Sequence, residues 1–238
     1  MKEARTLRTV KSYVVRGGRL TASQQHALLS LWPEYGLQRE QGILNCSEVF
    51  AKEQPLIFEI GFGMGDSLLQ MAMDKPDYNF IGVDVHPPGV GTLLRKLADH
   101  DLGNVRVYQD DARLVLQDCI ADAALDKLQI YFPDPWHKKR HHKRRLIQPE
   151  FINSAIPKLK QGGLIHLATD WENYAEQMME VLSRFDSLEN VAGPGSYASD
   201  HERPKTKFQR RGEKLGHGVW DLMFRKIFSR TSSTQSPG

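Results

Sequence analysis

Residues 56–73 read LIFEIGFGMGDSLLQMAM. An apolar run ends at Gly61, Gly63 and Gly65, and residues 67–73 then place their apolar side chains at helical spacing. A strand, a tight turn and a helix in that order form the opening unit of a parallel α/β sheet. Glycine reaches backbone conformations that other residues avoid and lets a ligand approach the chain closely. The same rhythm continues outward. FIGVD (80–84), VRVY (105–108), LQIYF (128–132) and LIHLAT (164–169) are further strand runs. Helical periods lie between and after them at 92–98, 112–120, 149–156 and 171–183. Pro87-Pro88-Gly89 reads as a turn before the 92–98 helix, and Pro157 as the end or bend of the 149–156 helix. Five short strands alternating with helices predict a doubly wound parallel sheet, whose ligand crevice lies beyond the carboxyl ends of the strands. An earlier helix is expected at 23–31, ended by Pro33 and Gly36. VAGPGSYASD (191–200) reads as loop, and VWDLMFRKIF (219–228) adds a late strand near the C-terminus.

The chain of 238 residues is long enough to bury a substantial core. It has no run of about 18 apolar residues, so no membrane span is expected. The basic N-terminus lacks the apolar stretch of a secretory signal. Cys46 and Cys119 stand far apart, with no metal or redox spacing, which suits a reducing cytoplasm. The expected organisation is a flexible basic arm over 1–20, one domain over 21–230 and a disordered tail over 231–238. Charge is segregated along this plan. Segments 138–145, 1–20 and 201–230 carry +6, +5 and +6, so the rest of the chain nets −14 against an overall +3. An acidic body with three basic segments has the footprint of a polyanion-binding protein.

The glycine turn is not a dinucleotide fingerprint. That pattern needs glycine at 66, where Asp66 stands, and a carboxylate there would repel a pyrophosphate from the helix N-terminus. The spacing suits a nucleoside ligand without phosphate, such as S-adenosyl-L-methionine. Asp84 ends the second strand, 23 residues after Gly61, where an acid can accept hydrogen bonds from ribose hydroxyls. Asp111 follows the third strand, where it either accepts from an adenine amine or caps the helix beginning at Ala112.

At 131–145 the chain reads YFPDPWHKKRHHKRR. Pro133 and Pro135 fix φ on both sides of Asp134 and present its carboxylate with little freedom at the edge of the basic run. An ordinary strand-ending turn anchored by Trp136 is the alternative. Methyltransferases acting on amino groups carry a related Asp/Asn-Pro-Pro-aromatic turn, and here its second proline is missing.

Taken with these stretches, EIGFGMGDSL (59–68), IGVDVHPPGVG (81–91), HLATDWENYAE (166–176), RPKTKFQRRG (203–212) and LGHGVWDLMF (215–224) resemble the bacterial tRNA (guanine-N7)-methyltransferase family. The resemblance runs from about 16 to 226. It implies a Rossmann-like class I methyltransferase fold: a mostly parallel sheet with helices on both faces and a late C-terminal strand. It implies methyl transfer from S-adenosyl-L-methionine to N7 of guanine 46 in the tRNA variable loop. Residue by residue, it assigns Glu59, Gly61, Gly63, Asp84, Asp111, Ala112 and Asp134 to the cofactor, with Asp134 also catalytic. Lys138, Asp170, Thr206, Lys207, Phe208 and Gln209 fall on substrate-binding positions. Arg140, His141, His142, Lys143, Arg144 and Arg145 fall on the RNA-contacting stretch. Asp84 and Gln209 stand where the family usually has glutamate. The implied setting is cytoplasmic, with tRNA as partner, no metal, no obligatory protein partner, and a monomer rather than a homodimer. The rival readings are an exocyclic-amine RNA methyltransferase, a nicotinamide-dependent oxidoreductase, which Asp66 disfavours, and a non-catalytic RNA-binding protein.

Overall fold

Short apolar runs pair side by side in one sheet that helices cover on both faces. In the computed structural model, which describes residues 12–13, 19–199, 203–204 and 218–228, the strands are β1 (Gly36–Leu37), β2 (Leu56–Ile60), β3 (Asn79–Val83), β4 (Val105–Tyr108), β5 (Leu125–Tyr131), β6 (Leu159–Thr169), β7 (Leu188–Asn190) and β8 (Trp220–Lys226). They form one sheet in the order β1-β4-β3-β2-β5-β6-β8-β7. The first six are parallel, β8 runs antiparallel to β6, and β7 antiparallel to β8.

The helices are α1 (Ala22–Ser30), α2 (Trp32–Tyr35), α3 (Cys46–Val49), α4 (Asp66–Asp74), α5 (Pro87–Asp99), α6 (Ala112–Cys119), α7 (Pro149–Ala155) and α8 (Glu172–Leu182). Alternate strand residues feed two cores. Phe58, Ile60, Leu128 and Ile130 pack with Val115, Leu116, Phe151, Ile152, Tyr174 and Met178 from α6, α7 and α8. Ile57, Phe80, Val105 and Val107 pack with Ala27, Leu68, Leu69, Leu93 and Leu94 from α1, α4 and α5. A strand buried on both faces has no solvent side to show, which is why β2 reads as an apolar run broken only by the buried Glu59. Each fully buried Leu or Phe contributes about 2 kcal/mol.

One expectation is corrected. Pro87-Pro88-Gly89 is the first turn of α5 and not a turn before it, because proline's fixed φ and missing N–H suit a helix start. Pro157 stands where the helix was expected to end or bend: α7 stops at Ala155 and the chain passes into a 3₁₀ turn, Ile156–Lys158. The late strand is present, and the short β7 pairs with it as an unforeseen edge. Among the described residues no helix is long and apolar enough to cross a membrane. The arm expected over 1–20 enters the description only at Ser12, Tyr13, Arg19 and Leu20, and the tail at 231–238 lies outside the described residues.

Candidate active site

At the carboxyl ends of β2, β3, β4 and β5 lies a cavity of about 370 Å³. Gly61, Asp84, Asp111, Ala112 and Asp134 line it together, as the sequence predicts, joined by Ser12, Tyr13, His86, Asp110, Tyr131 and Phe132. Its volume falls within the range of small-molecule sites. Gly61 and Gly63 have φ of +78° and +59°. A Cβ added at either would meet nothing within 4 Å, so the turn needs glycine for its backbone shape and leaves its inner face bare.

Asp84 holds that turn. Its Oδ2 accepts from the Gly63 amide (2.8 Å) and its Oδ1 from the His86 amide (2.9 Å). Burial pushes the carboxyl up, and these amide hydrogen bonds only partly offset it. Each oxygen keeps a lone pair for a further donor such as a ribose hydroxyl. Asp111 caps α6, its Oδ1 accepting from the Arg113 amide (3.0 Å), and also lines the cavity. Asp66 in the first turn of α4 pairs with Lys96, whose Nζ also donates to the Met64 carbonyl (2.8 Å). The helix end that would hold a phosphate therefore carries a carboxylate of its own.

Glu59 stands behind the cavity, outside its lining, and is 2 % exposed. Burial pushes its carboxyl up to about 7, against the hydrogen bond it accepts from Gln129 Nε2 (2.6 Å). From there a buried polar chain crosses the sheet. Tyr131 Oη lies 3.1 Å from both Gln129 Oε1 and His166 Nδ1. His166 Nε2 lies 2.9 Å from Asp221 Oδ1. Burial pushes the His166 imidazole down, with the hydrogen bond to Asp221 opposing it, and Nε2–H donates to the carboxylate. Arg203 closes the chain with two donors on Asp221, at 2.7 and 2.8 Å. Its guanidinium also lies over the Phe132 ring, 5.1 Å from the centroid.

The Pro133-Asp134-Pro135 turn is flanked by two residues in the left-handed region, Phe132 (φ +52°) and Trp136 (φ +47°). Such conformations cost about 1–3 kcal/mol each and persist only where the surroundings impose them. Here the Phe132 amide donates to the Ala168 carbonyl (2.8 Å). Trp136 Nε1 donates to the Ser12 carbonyl (3.2 Å), and Arg145 Nε to the Pro135 carbonyl (2.8 Å). Asp134 itself is exposed at the rim.

The basic run forms a 3₁₀ helix, Lys139–Arg144. Lys138, Arg140 and Lys143 are exposed, and Arg144 lies over the Trp136 ring at 4.8 Å. His141 meets the same ring edge-on, and burial together with its cationic neighbours pushes its imidazole down. Arg145 departs from the RNA-contact expectation. It is 2 % exposed, and its guanidinium donates to Pro135, Gln177 and Asn173 and to His142 Nε2 (3.1 Å). It pins the turn to α8, and no face is left for a phosphate. His142, half-buried beside it, belongs to the same pin. Asp170 is exposed at the end of β6. Thr206, Lys207, Phe208 and Gln209 lie outside the described residues.

Sequence reasoning missed the Gln129–Tyr131–His166–Asp221–Arg203 chain. One signal was available, since Lys127, Gln129 and Tyr131 alternate with the apolar Leu128 and Ile130 along β5. Nothing in the sequence marked Ser12 and Tyr13 as cavity walls.

Residues 53–222 match the Methyltransf_4 family model, described as "Putative methyltransferase". Among solved structures, the 16S rRNA methyltransferase KamB superposes with a TM-score of 0.56 at 12 % identity, over 76 % of this chain and 92 % of its own. That likeness shows the fold. The tRNA (guanine-N(7)-)-methyltransferase of Pseudomonas aeruginosa is 56 % identical over 94 % of this chain and 93 % of its own. The enzyme of that name from Alcanivorax borkumensis is 54 % identical over 93 % of both chains. With identity at this level along almost the whole length of each partner, the chain belongs to the tRNA (guanine-N(7)-)-methyltransferase family.

Proposed function

We propose that this chain transfers the methyl group of S-adenosyl-L-methionine to N7 of guanine 46 in the variable loop of tRNA. The observation that carries this reading is the convergence of a bare glycine turn, Asp84, Asp111 and Asp134 on one cavity. The residues fit the cofactor. Asp84 and Asp111 offer acceptors to ribose hydroxyls and an adenine amine, and Asp66 puts a carboxylate at the helix end that a phosphate ligand would need. Bound there, S-adenosyl-L-methionine supplies a sulfonium methyl as the electrophile.

Guanine N7 carries an in-plane lone pair, so no proton must leave before attack. The residues' task is alignment at near-attack distance and exclusion of competing geometry. The bound cofactor would supply the methyl group and keep the C–S bonding pair, and the purine would gain the positive charge. The fixed Asp134 carboxylate orients the guanine edge and offsets that charge without acting as a base. Exposed Lys138, Arg140 and Lys143 bind phosphates, with a salt-dependent and sequence-independent contribution. The target base is unstacked to reach the cavity. The reading extends to a cytoplasmic enzyme, consistent with the free thiols of Cys46 and Cys119, that acts as a monomer without a protein partner.

Purified protein, methyl-labelled S-adenosyl-L-methionine and an unmodified tRNA transcript test the reaction. Labelled 7-methylguanosine in the nucleoside digest is expected, and a methylated adenosine or an N2-methylated guanosine would contradict it. A second outcome concerns the glycine turn. A Cβ at position 89 would lie 2.1 Å from the Gly63 carbonyl oxygen, a backbone atom that cannot swing aside. Gly89→Ala is therefore expected to displace the turn, cost about 1–3 kcal/mol of stability and weaken cofactor binding about tenfold in a calorimetric titration.

A further inference from the structure

Two aromatic rings stand beside the cavity without belonging to it. His137 and Trp171 meet edge to face, with centroids 4.3 Å apart and planes at 74°. His137 lies three residues after Asp134, at the end of the turn that leaves β5. Trp171 follows Asp170 at the end of β6 and is the N-cap residue of α8. Since β5 and β6 are paired neighbours, with Tyr131 opposite Ala168, the two rings share the rim next to Asp134. They lie on the side away from β3 and β4, where Asp84 and Asp111 hold the cofactor half of the crevice.

The contrast with Trp136 shows what is unusual about this pair. Trp136 is committed to the fold, with its Nε1 on the Ser12 carbonyl and Arg144 across its ring. Trp171 is 39 % exposed, and the start of α8 does not depend on its indole, because the local hydrogen bond runs from its backbone amide to Thr169 Oγ1 (3.2 Å). His137 is exposed as well, and exposed Lys138, Lys139 and Arg140 follow it directly. A partly exposed indole, in edge-to-face contact with a second ring and next to exposed cations, has the chemistry of a base-stacking surface.

Resting on the tRNA-methylation reading, we propose that the His137–Trp171 pair is the stacking platform for the purine ring of the target guanine. An unstacked base loses its neighbours in the RNA, and the indole face replaces them. The same face attracts the purine more strongly once it carries positive charge, so the platform favours the alkylated ring over the neutral one. Asp134 and Trp171 then divide the work, the carboxylate acting in the plane of the base and the indole above it.

The test uses the full chain with unmodified tRNA. Trp171→Ala is expected to lower kcat/KM for tRNA about tenfold or more, while the dissociation constant for S-adenosyl-L-methionine stays within about twofold, which also certifies the fold. Trp171→Phe, which keeps an aromatic face, is expected to retain most of the activity. Trp171→Ala with kcat/KM within twofold of wild type would overturn the platform, and so would Trp171→Phe failing as badly as Trp171→Ala. A wild-type protein that transfers no methyl group to tRNA would instead negate the underlying reading, so the two failures are distinguishable.

Discussion

Asp134→Ala is expected to lower kcat by about 10²- to 10³-fold while changing the tRNA dissociation constant by no more than about threefold. The asymmetry follows from where the carboxylate stands. It lines the cavity between two prolines, on a turn whose flanking residues are both held in the left-handed region. The hydrogen bonds of Phe132, Trp136 and Arg145 keep that turn in place without using the Asp134 side chain. On the proposed function, removing the carboxylate leaves the frame intact and takes away charge stabilisation that would matter only as the purine becomes cationic. Affinity for tRNA would rest on phosphate contacts by Lys138, Arg140 and Lys143, which the substitution does not touch. Asp134→Asn keeps the shape and one acceptor oxygen but loses the charge, and it should fall between wild type and Asp134→Ala. Equal losses in turnover and affinity would show that Asp134 serves binding alone.

Asp221→Ala is expected to have the largest effect on stability, about 3–5 kcal/mol, because it strands the buried Arg203 charge and the His166 donor together. For a chain of this length that loss corresponds to roughly 10 °C in Tm, read by circular dichroism during thermal unfolding. The pH dependence has a defined sign. Burial alone would raise the Asp221 carboxyl, but the hydrogen bonds from His166 and Arg203 and the Arg203 charge outweigh it and hold the group at about 2. A carboxyl depressed in the folded state contributes stability that is complete above its unfolded value near 4 and is lost as pH falls through about 2. Acid unfolding of the wild type should steepen in that window, and Asp221→Asn should flatten it. An unchanged profile in Asp221→Asn would remove Asp221 from any account of acid stability.

Much of this architecture was legible in sequence because its elements are built from unambiguous signals. LIFEI followed by three glycines predicts β2, the turn and α4, and the structure places Gly61, Asp84, Asp111, Ala112 and Asp134 around one cavity. What stayed hidden depends on contacts distant in sequence. Arg145 closes a run of cations and reads as one more phosphate ligand, yet Gln177 and Asn173 of α8 draw it into the interior. Glu59 belongs to the glycine motif, but its strand position turns it toward Gln129. His166 and Asp221 lie 55 residues apart in the chain and meet only because β6 and β8 pair. Two- and three-residue strands such as β1 and β7 carry no period at all.

The claim at the centre of the account is that the nucleophile is the N7 lone pair and that the site is built to align it. A tRNA transcript carrying 7-deazaguanosine at position 46, where C–H replaces N7, tests this directly. The account predicts binding within about threefold of the normal transcript and no labelled methyl transfer from S-adenosyl-L-methionine. Transfer to the 7-deaza transcript at the normal rate would contradict it, because the methyl group would then be going to another atom.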